Sequence, residues 1–504
     1  MLEKSQRIIK IGVIGCVLVF TGCRHITLPS QESTVYDSAT PDIYPDYTDI
    51  VVPYNIAPLN FRINTDGEEY ITSLSSPLND KKLLCKGKDV RWNEKKWHDF
   101  LLDNRDEEVI CDVYVKMKDS QQWHRHTFKM LVSNDSIDPY ISYRLIEPTF
   151  VYYNEILLCQ RNLTNFEEKI IHNNFYSVDD KKMSCMNCHV PRNHFAGNTS
   201  QFHVRGHNGG TIIIEGDNVR KVDFSHGGKT PAGVYQAWNP VHNVIVYSQN
   251  GTEQYFFTED SQKVEVLDEW SDLIIYDVDK NTVKQIFKTP DLLETFPAWS
   301  PDGNTLYFSC AKIPETAKAG ELKEVYDSIK YDILSVKYDA GHNTFSEKID
   351  TVFSASGIGM SASLPRVSSD GRFLLTCVSD FGTFHIWHKE SDLWITDLLS
   401  GESYPLENAN SYHPDSYHSW SSNNRWIVFS SRRDDGFYTR PYITHIDSAG
   451  ISSKAFVIPQ KSLDYYDELM KSYNVPEFMV REFDIPRRKL VKAIESPGLE
   501  PEEN

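Results

Sequence analysis

The sequence predicts a mainly β fold on three observations. Apolar residues recur at every second position, as in Val109-Ile110-Cys111-Asp112-Val113-Tyr114-Val115, and turn clusters such as Asn64-Thr65-Asp66-Gly67 break these runs. Over residues 231–460 one strand–turn–strand pattern returns four times. Helical periodicity is confined to short stretches, chiefly Glu94 to Leu102, where Trp97, Phe100 and Leu101 share a face, and Asp464 to Tyr473.

From the amino terminus, Lys4, Arg7 and Lys10 precede an apolar run, Ile11 to Phe20, that is too short to span a bilayer but suits the core of an export signal. It ends at Phe20-Thr21-Gly22-Cys23, which resembles a bacterial lipobox. Residues 1–22 are therefore expected to be a lipoprotein signal peptide and Cys23 the lipidated residue. An ordinary signal peptide or an uncut anchor is the alternative. The expected location is the cell envelope, as an outer membrane lipoprotein, on the periplasmic side or at the surface, touching the membrane through its lipid only.

Residues 23–50, rich in Ser, Thr, Pro, Asp and Tyr, read as a tether. Residues 51–145 alternate as a small β-sandwich-like domain with one helical insertion. Residues 146–230 look irregular, residues 231–460 are the repeat region, and residues 461–504 read as a C-terminal helix, packed by Tyr465, Leu469 and Met470, and a disordered tail after Ser496.

The formal charge of −19 argues against nucleic acid and anionic lipid headgroups as partners and favours a basic docking or redox protein in the envelope. Of the nine cysteines, Cys16 falls in the signal and Cys23 takes the lipid. Cys85, Cys111, Cys159, Cys310 and Cys377 form an odd, scattered set unlike a disulfide scaffold, although Cys85 with Cys111 is one conceivable bridge. Cys310 and Cys377 read as small core residues.

Cys185-Met186-Asn187-Cys188-His189 has the spacing of a c-type haem attachment site. Two thiols three positions apart on a helical turn reach the two vinyl groups of one haem, and the histidine after the second thiol supplies an axial nitrogen to the iron. Haem c is attached outside the cytoplasm, in agreement with the export signal. A zinc site lacks a second ligand pair, and a thioredoxin-like dithiol lacks its βαβ context. The second axial ligand is expected among His194, His203, His207 and His226. His203, in the apolar setting Phe202-His203-Val204, is the favoured one, with His207 next. His194 is five residues from His189, a reach of at most about 17 Å, too short to wrap a porphyrin edge without strain. Phe175, Tyr176, Met186, Val190 and Phe195 are expected to wall the pocket.

The four repeat copies begin at Ala237-Trp238-Asn239-Pro240, Ala298-Trp299-Ser300-Pro301-Asp302-Gly303, Pro365-Arg366-Val367-Ser368-Ser369-Asp370-Gly371 and Ser419-Trp420-Ser421-Ser422-Asn423-Asn424, each followed by a strand. Further strands, such as Asp272 to Val278 and Asp392 to Leu398, make four per unit, the pattern of a β-propeller blade. Trp299 to Gly303 resembles in full the TolB-type repeat, which implies a propeller of five or six blades, six favoured; Thr211-Ile212-Ile213-Ile214 would serve a further blade. The whole chain also resembles a group of Bacteroidetes envelope lipoproteins in which a haem c motif precedes such a propeller, through Asn55 to Phe61, Tyr143 to Pro148, Ser184 to His189, Ile386 to Glu390 and Tyr417 to Ser422. That resemblance implies an architecture and no established activity.

His388, Arg432 and Arg433 lie in loaded segments between repeat strands and form either a binding face or inter-blade salt bridges. No Ser/His/Asp arrangement, phosphate loop or paired catalytic carboxylates stands out. The expected function is electron transfer or redox sensing through one haem c. A haem enzyme with an open iron position and a binding module stapled by haem are the alternatives.

Overall fold

The computed structural model describes residues 26–118, 120–148, 155–177, 184–225, 232–258, 264–287, 289–315, 317 and 321–503. The expected signal peptide, Cys23 and His226 lie outside these residues. The described chain is mainly β, and none of its helices is long and apolar enough to cross a membrane.

The amino-terminal part is a six-stranded sheet and a small three-stranded sheet. In the larger, the hairpin Glu107–Lys116 and Trp123–Ser133 is flanked by Glu69–Ser75 and by the short parallel strands Thr34–Tyr36 and Ile50–Pro53. The helix Glu94–Asp103 buries Trp97, Phe100 and Leu101 as expected, and Asn93 caps it by accepting from the Lys96 amide at 3.1 Å. The tether reading of residues 23–50 is corrected. Ile43, Tyr47 and Ile50 are buried in the core, so apolar anchors hold down a stretch whose overall composition is that of a linker. Cys85 and Cys111 are both free. The strand Glu69–Ser75 lies between theirs, which rules out the bridge.

Six four-stranded antiparallel units follow among the described residues. Their first strands are Ser184–Pro191, Val234–Trp238, Leu292–Trp299, Ser361–Val367, Asp415–Trp420 and Ser472–Met479. The second and third units are joined into one nine-stranded sheet by a single bridge, Ser271 to Leu293. The unit containing Ser472–Met479 takes its other strands, Tyr140–Ile146, Leu157–Asn162 and Glu168–Asn173, from more than 300 residues earlier. Each first strand packs against the next, and Ser472–Met479 touches Ser184–Pro191, so the chain of contacts returns to its start.

The reading of residues 146–230 as irregular is therefore corrected: five further strands and the motif strand fill that stretch. The motif itself lies on a strand, where a helical turn was expected. It pairs with Thr199–Gly206, and the register shifts between Asn187 and Val190. Of the expected helix Asp464 to Tyr473 only Tyr465–Glu468 is helical, and a longer helix, Arg487–Glu495, follows the closing strand and buries Leu490, Ala493 and Ile494. Pro476 cannot continue a helix, and Tyr473 and Asn474 enter the closing strand while Met470 is exposed. The tail is ordered as well, with Glu502–Glu503 pairing beside Thr282–Gln285.

Candidate functional site

All six first strands carry the same irregularity. A register shift occurs midway along each pairing. One residue at the shift has positive φ: Cys188 (51°), Tyr235 (48°), Phe296 (48°), Leu364 (56°), Tyr417 (48°) and Val475 (50°). Bulky residues avoid this region because Cβ crowds the following carbonyl, at a cost of roughly 1–2 kcal/mol each. All six line one cavity, which opens between the six strands. Strain gathered on one surface marks a surface that the rest of the fold is built to hold.

Cys185, Cys188 and His189 all line this cavity. The cavity has a volume of about 190 Å3 and is partly open to solvent. Val190, Val266, Phe296, Leu364 and Phe384 supply apolar wall, and Arg144, Arg205 and Arg366 supply positive charge. Arg366 is paired with Glu477 at 2.8 Å. The lining acids Glu147 and Glu155 are engaged by Lys471 at 3.3 and 3.6 Å.

His189 is 2% exposed, and neither ring nitrogen has a hydrogen-bond partner of acceptable geometry. Burial, and then the charge of Arg144, push its pKa down to about 3 against loose contacts with the Ser142 and Val475 backbone, so the imidazole is neutral at pH 7. Burial pushes the Cys185 thiol up, partly offset by Arg144 and Arg205. Unsatisfied polar atoms concentrate here. Asn187 Oδ1, Arg144 Nε and Gln236 Oε1 join the two His189 nitrogens, and all belong to lining residues. Gln236 Nε2 donates to the Cys188 carbonyl. Buried polar atoms in native proteins are almost always paired, so such a cluster fits a cavity that binds something polar at its edge and apolar across its middle. Two thiols, a neutral unpartnered imidazole and apolar walls are the donor set a covalently attached porphyrin requires, and the residues present fit that group.

The expected second ligand is not here. His203 stands on the neighbouring strand, opposite Asn187, and is buried with Nδ1 3.3 Å from Thr211 Oγ1; it does not line the cavity. His207 is exposed on the turn after that strand. His194 lines a second cavity of about 450 Å3 farther along the first strands, with Nε2 3.2 Å from Ser369 Oγ. The histidine that sequence reasoning missed is His418. It lines the cavity and follows the positive-φ residue of its strand, as His189 does. Its ring is occupied, with Nδ1 3.3 Å from Cys377 Sγ and Nε2 3.3 Å from the Leu375 carbonyl. The shared repeat position of Cys188-His189 and Tyr417-His418 is the signal that could have found it. Of the expected pocket walls only Val190 lines the cavity. Met186 and Phe195 pack into a separate apolar cluster, and Phe175 and Tyr176 are exposed. Among the described residues no cluster of three or more His, Cys, Asp or Glu side chains is arranged to hold a bare metal ion.

No family model matches the chain, and no curated protein matches it significantly. Among solved structures it is similar to a prolyl endopeptidase (TM-score 0.35, 9% identity, 64% of this chain and 42% of that one) and to hydrazine synthase of Kuenenia stuttgartiensis (TM-score 0.42, 11% identity, 68% and 46%). It is also similar to the periplasmic gluconolactonase PpgL of Pseudomonas aeruginosa (TM-score 0.31, 10% identity, 64% and 97%). This chain spans less than half of the first two, and all three likenesses are loose and concern the fold alone.

Proposed function

We propose that the protein is an exported envelope lipoprotein that carries one haem c on Cys185, Cys188 and His189 and serves in electron transfer or redox sensing, with a six-bladed TolB-like propeller as its docking surface. The observation that carries the reading is the convergence of the three motif residues on one cavity wall, with neither nitrogen of the buried, neutral His189 in a well-formed hydrogen bond. The six-blade reading is supported by the cycle of contacts among six first strands, completed by the carboxyl-terminal strand. Lipidation at Cys23, outer membrane location and an envelope redox partner rest on the sequence.

When bound, haem c supplies one-electron chemistry. The chain's own residues hold it. The thiols of Cys185 and Cys188 would fix its edge, His189 would offer a nitrogen that needs no deprotonation, and the apolar walls would pack against its faces. The test is the mature protein exported in cells with a haem c attachment apparatus. Covalent haem staining is expected in the unsubstituted chain and its loss in Cys185→Ala/Cys188→Ala; an unstained protein with both thiols free to alkylate overturns the reading.

One observation favours a second reading, a haem enzyme with an open iron position. His203 lies off the cavity, and both nitrogens of His418 are engaged elsewhere. A six-coordinate low-spin spectrum supports the carrier, and a five-coordinate high-spin spectrum the enzyme.

A further inference from the structure

Among the described residues, Arg144 is a cavity-lining cation that pairs with no carboxylate. Half-buried on the strand Tyr140–Ile146, it lines the cavity beside the motif. Two of its nitrogens fix the guanidinium in place: Nη1 donates to the Met186 carbonyl at 2.9 Å, within the motif itself, and Nη2 donates to Asn474 Oδ1. Nε is buried and has no partner. Among the described residues no carboxylate pairs with Arg144, and the lining acids Glu147 and Glu155 are held by Lys471. A half-buried guanidinium without a counter-charge favours an anion beside it, and its planar N–H fork matches a carboxylate.

We propose that Arg144 is the residue that receives a carboxylate of the porphyrin bound at Cys185, Cys188 and His189. The inference rests on the haem reading and adds the group's orientation, with an acidic edge turned to the side of the cavity built by the strand Tyr140–Ile146. Arg205, opposite Cys185 in the strand pairing, flanks the same side with a second positive charge.

The experiment uses the full mature chain as Cys185→Ala/Cys188→Ala, so that no porphyrin attaches covalently, titrated with zinc protoporphyrin IX or with its dimethyl ester. The free diacid is expected to bind roughly tenfold or more tighter than the ester, the worth of a charge-assisted hydrogen bond. Adding Arg144→Met is expected to erase that preference while leaving ester affinity unchanged, and Arg144→Lys to keep part of it. Equal affinities for diacid and ester in the starting chain overturn the proposal, as do a preference that survives Arg144→Met and a failure of either porphyrin to bind. The acid–ester comparison in the starting chain does not depend on the folding of the arginine variants. Haem staining of the unsubstituted exported protein reports separately: a negative stain sinks the haem reading, and a positive stain with equal affinities sinks only the assignment to Arg144.

Discussion

At the scale of single residues, the most heavily loaded site outside the cavity is structural. His388 is fully buried, with Nε2 3.0 Å from Glu265 Oε2 and Nδ1 2.9 Å from Ser379 Oγ; Glu390 also bonds Ser379, at 2.7 Å. Burial alone would drive the His388 pKa down, but hydrogen bonds and charge from Glu265 and Glu390 raise it to about 9. Arg433 pairs with Asp415 at 2.9 Å, and Arg432 stacks on Trp387 at 4.1 Å. Of the two readings the sequence offered for these residues, salt bridging is the nearer: His388–Glu265 joins two repeat units, while Arg433–Asp415 lies within one and Arg432 meets the neighbouring unit by its contact with Trp387. Removing one partner of a buried pair costs about 3–5 kcal/mol, so His388→Gln is expected to lose about that much in denaturant unfolding at pH 7. A histidine pKa raised by folding stabilises fully below its unfolded value of roughly 6.5, and that contribution disappears as pH rises through the folded value, about 9. The stability gap between wild type and His388→Gln should therefore shrink between pH 7 and pH 10; a constant gap would refute the ion-pair account.

At the scale of the element, the repeat turns show how a short motif sets a strand. Three copies share one network. Ser300 Oγ donates to Asp302 Oδ1 at 2.5 Å and accepts the Thr305 amide at 2.9 Å, Ser368 does the same with Asp370 and Phe373, and Ser421 with Asn423 and Trp426. The closing positions have positive φ, at Gly303 (71°), Gly371 (76°) and Asn424 (62°). A Cβ at Gly303 would also lie 2.5 Å from Asn239 Oδ1. Gly303→Ala is thus expected to cost at least about 1–2 kcal/mol, while Asn424→Gly, which relieves its positive φ but loses the bond its Oδ1 accepts from the Ser369 amide, should cost less. Thermal melts of the two variants check the contrast, and similar losses in both would count against it. Trp299 and Trp420 then tie each unit to the one before, donating to the carbonyls of Ala237 and Arg366 at 3.1 Å. These strands and turns were legible because their information is local. The motif strand was not, because Cys-Met-Asn-Cys-His has no alternation and its bulge is a property of the pairing.

At the scale of the whole molecule, the last strand and the first sheets complete one another. One apolar cluster runs from Ile43 and Trp97 through Tyr143 to Trp426 and Phe478, so the amino-terminal sheets and the last repeat units share a core. Polar contacts reinforce it: Ser422 donates to Asp138 from its amide (2.7 Å) and hydroxyl (2.6 Å), and Trp426 Nε1 donates to the Asp135 carbonyl at 3.2 Å. Ending the chain at 471 removes the strand Ser472–Met479, leaves Tyr140–Ile146 an open edge and uncovers Tyr143, so soluble, cooperatively melting protein is not expected. Ending it at 496 removes only edge contacts around Leu499 and Glu502–Glu503 and should shift the melting temperature by a few degrees at most. Comparable behaviour of the two truncations in soluble yield and thermal melting would contradict this view of closure.

The sequence by itself determined the mainly β character, the helix Glu94–Asp103, the repeat turns and the identity of the three motif residues, because each is written in residues close along the chain. Tertiary structure alone decided which side chains share the cavity. His203, beside the motif in the sheet, is turned away from it. His418 and Arg144 reach it from strands more than 220 and about 40 residues distant in sequence. Pairing register and the meeting of six strands set that choice, and no short window of sequence encodes either.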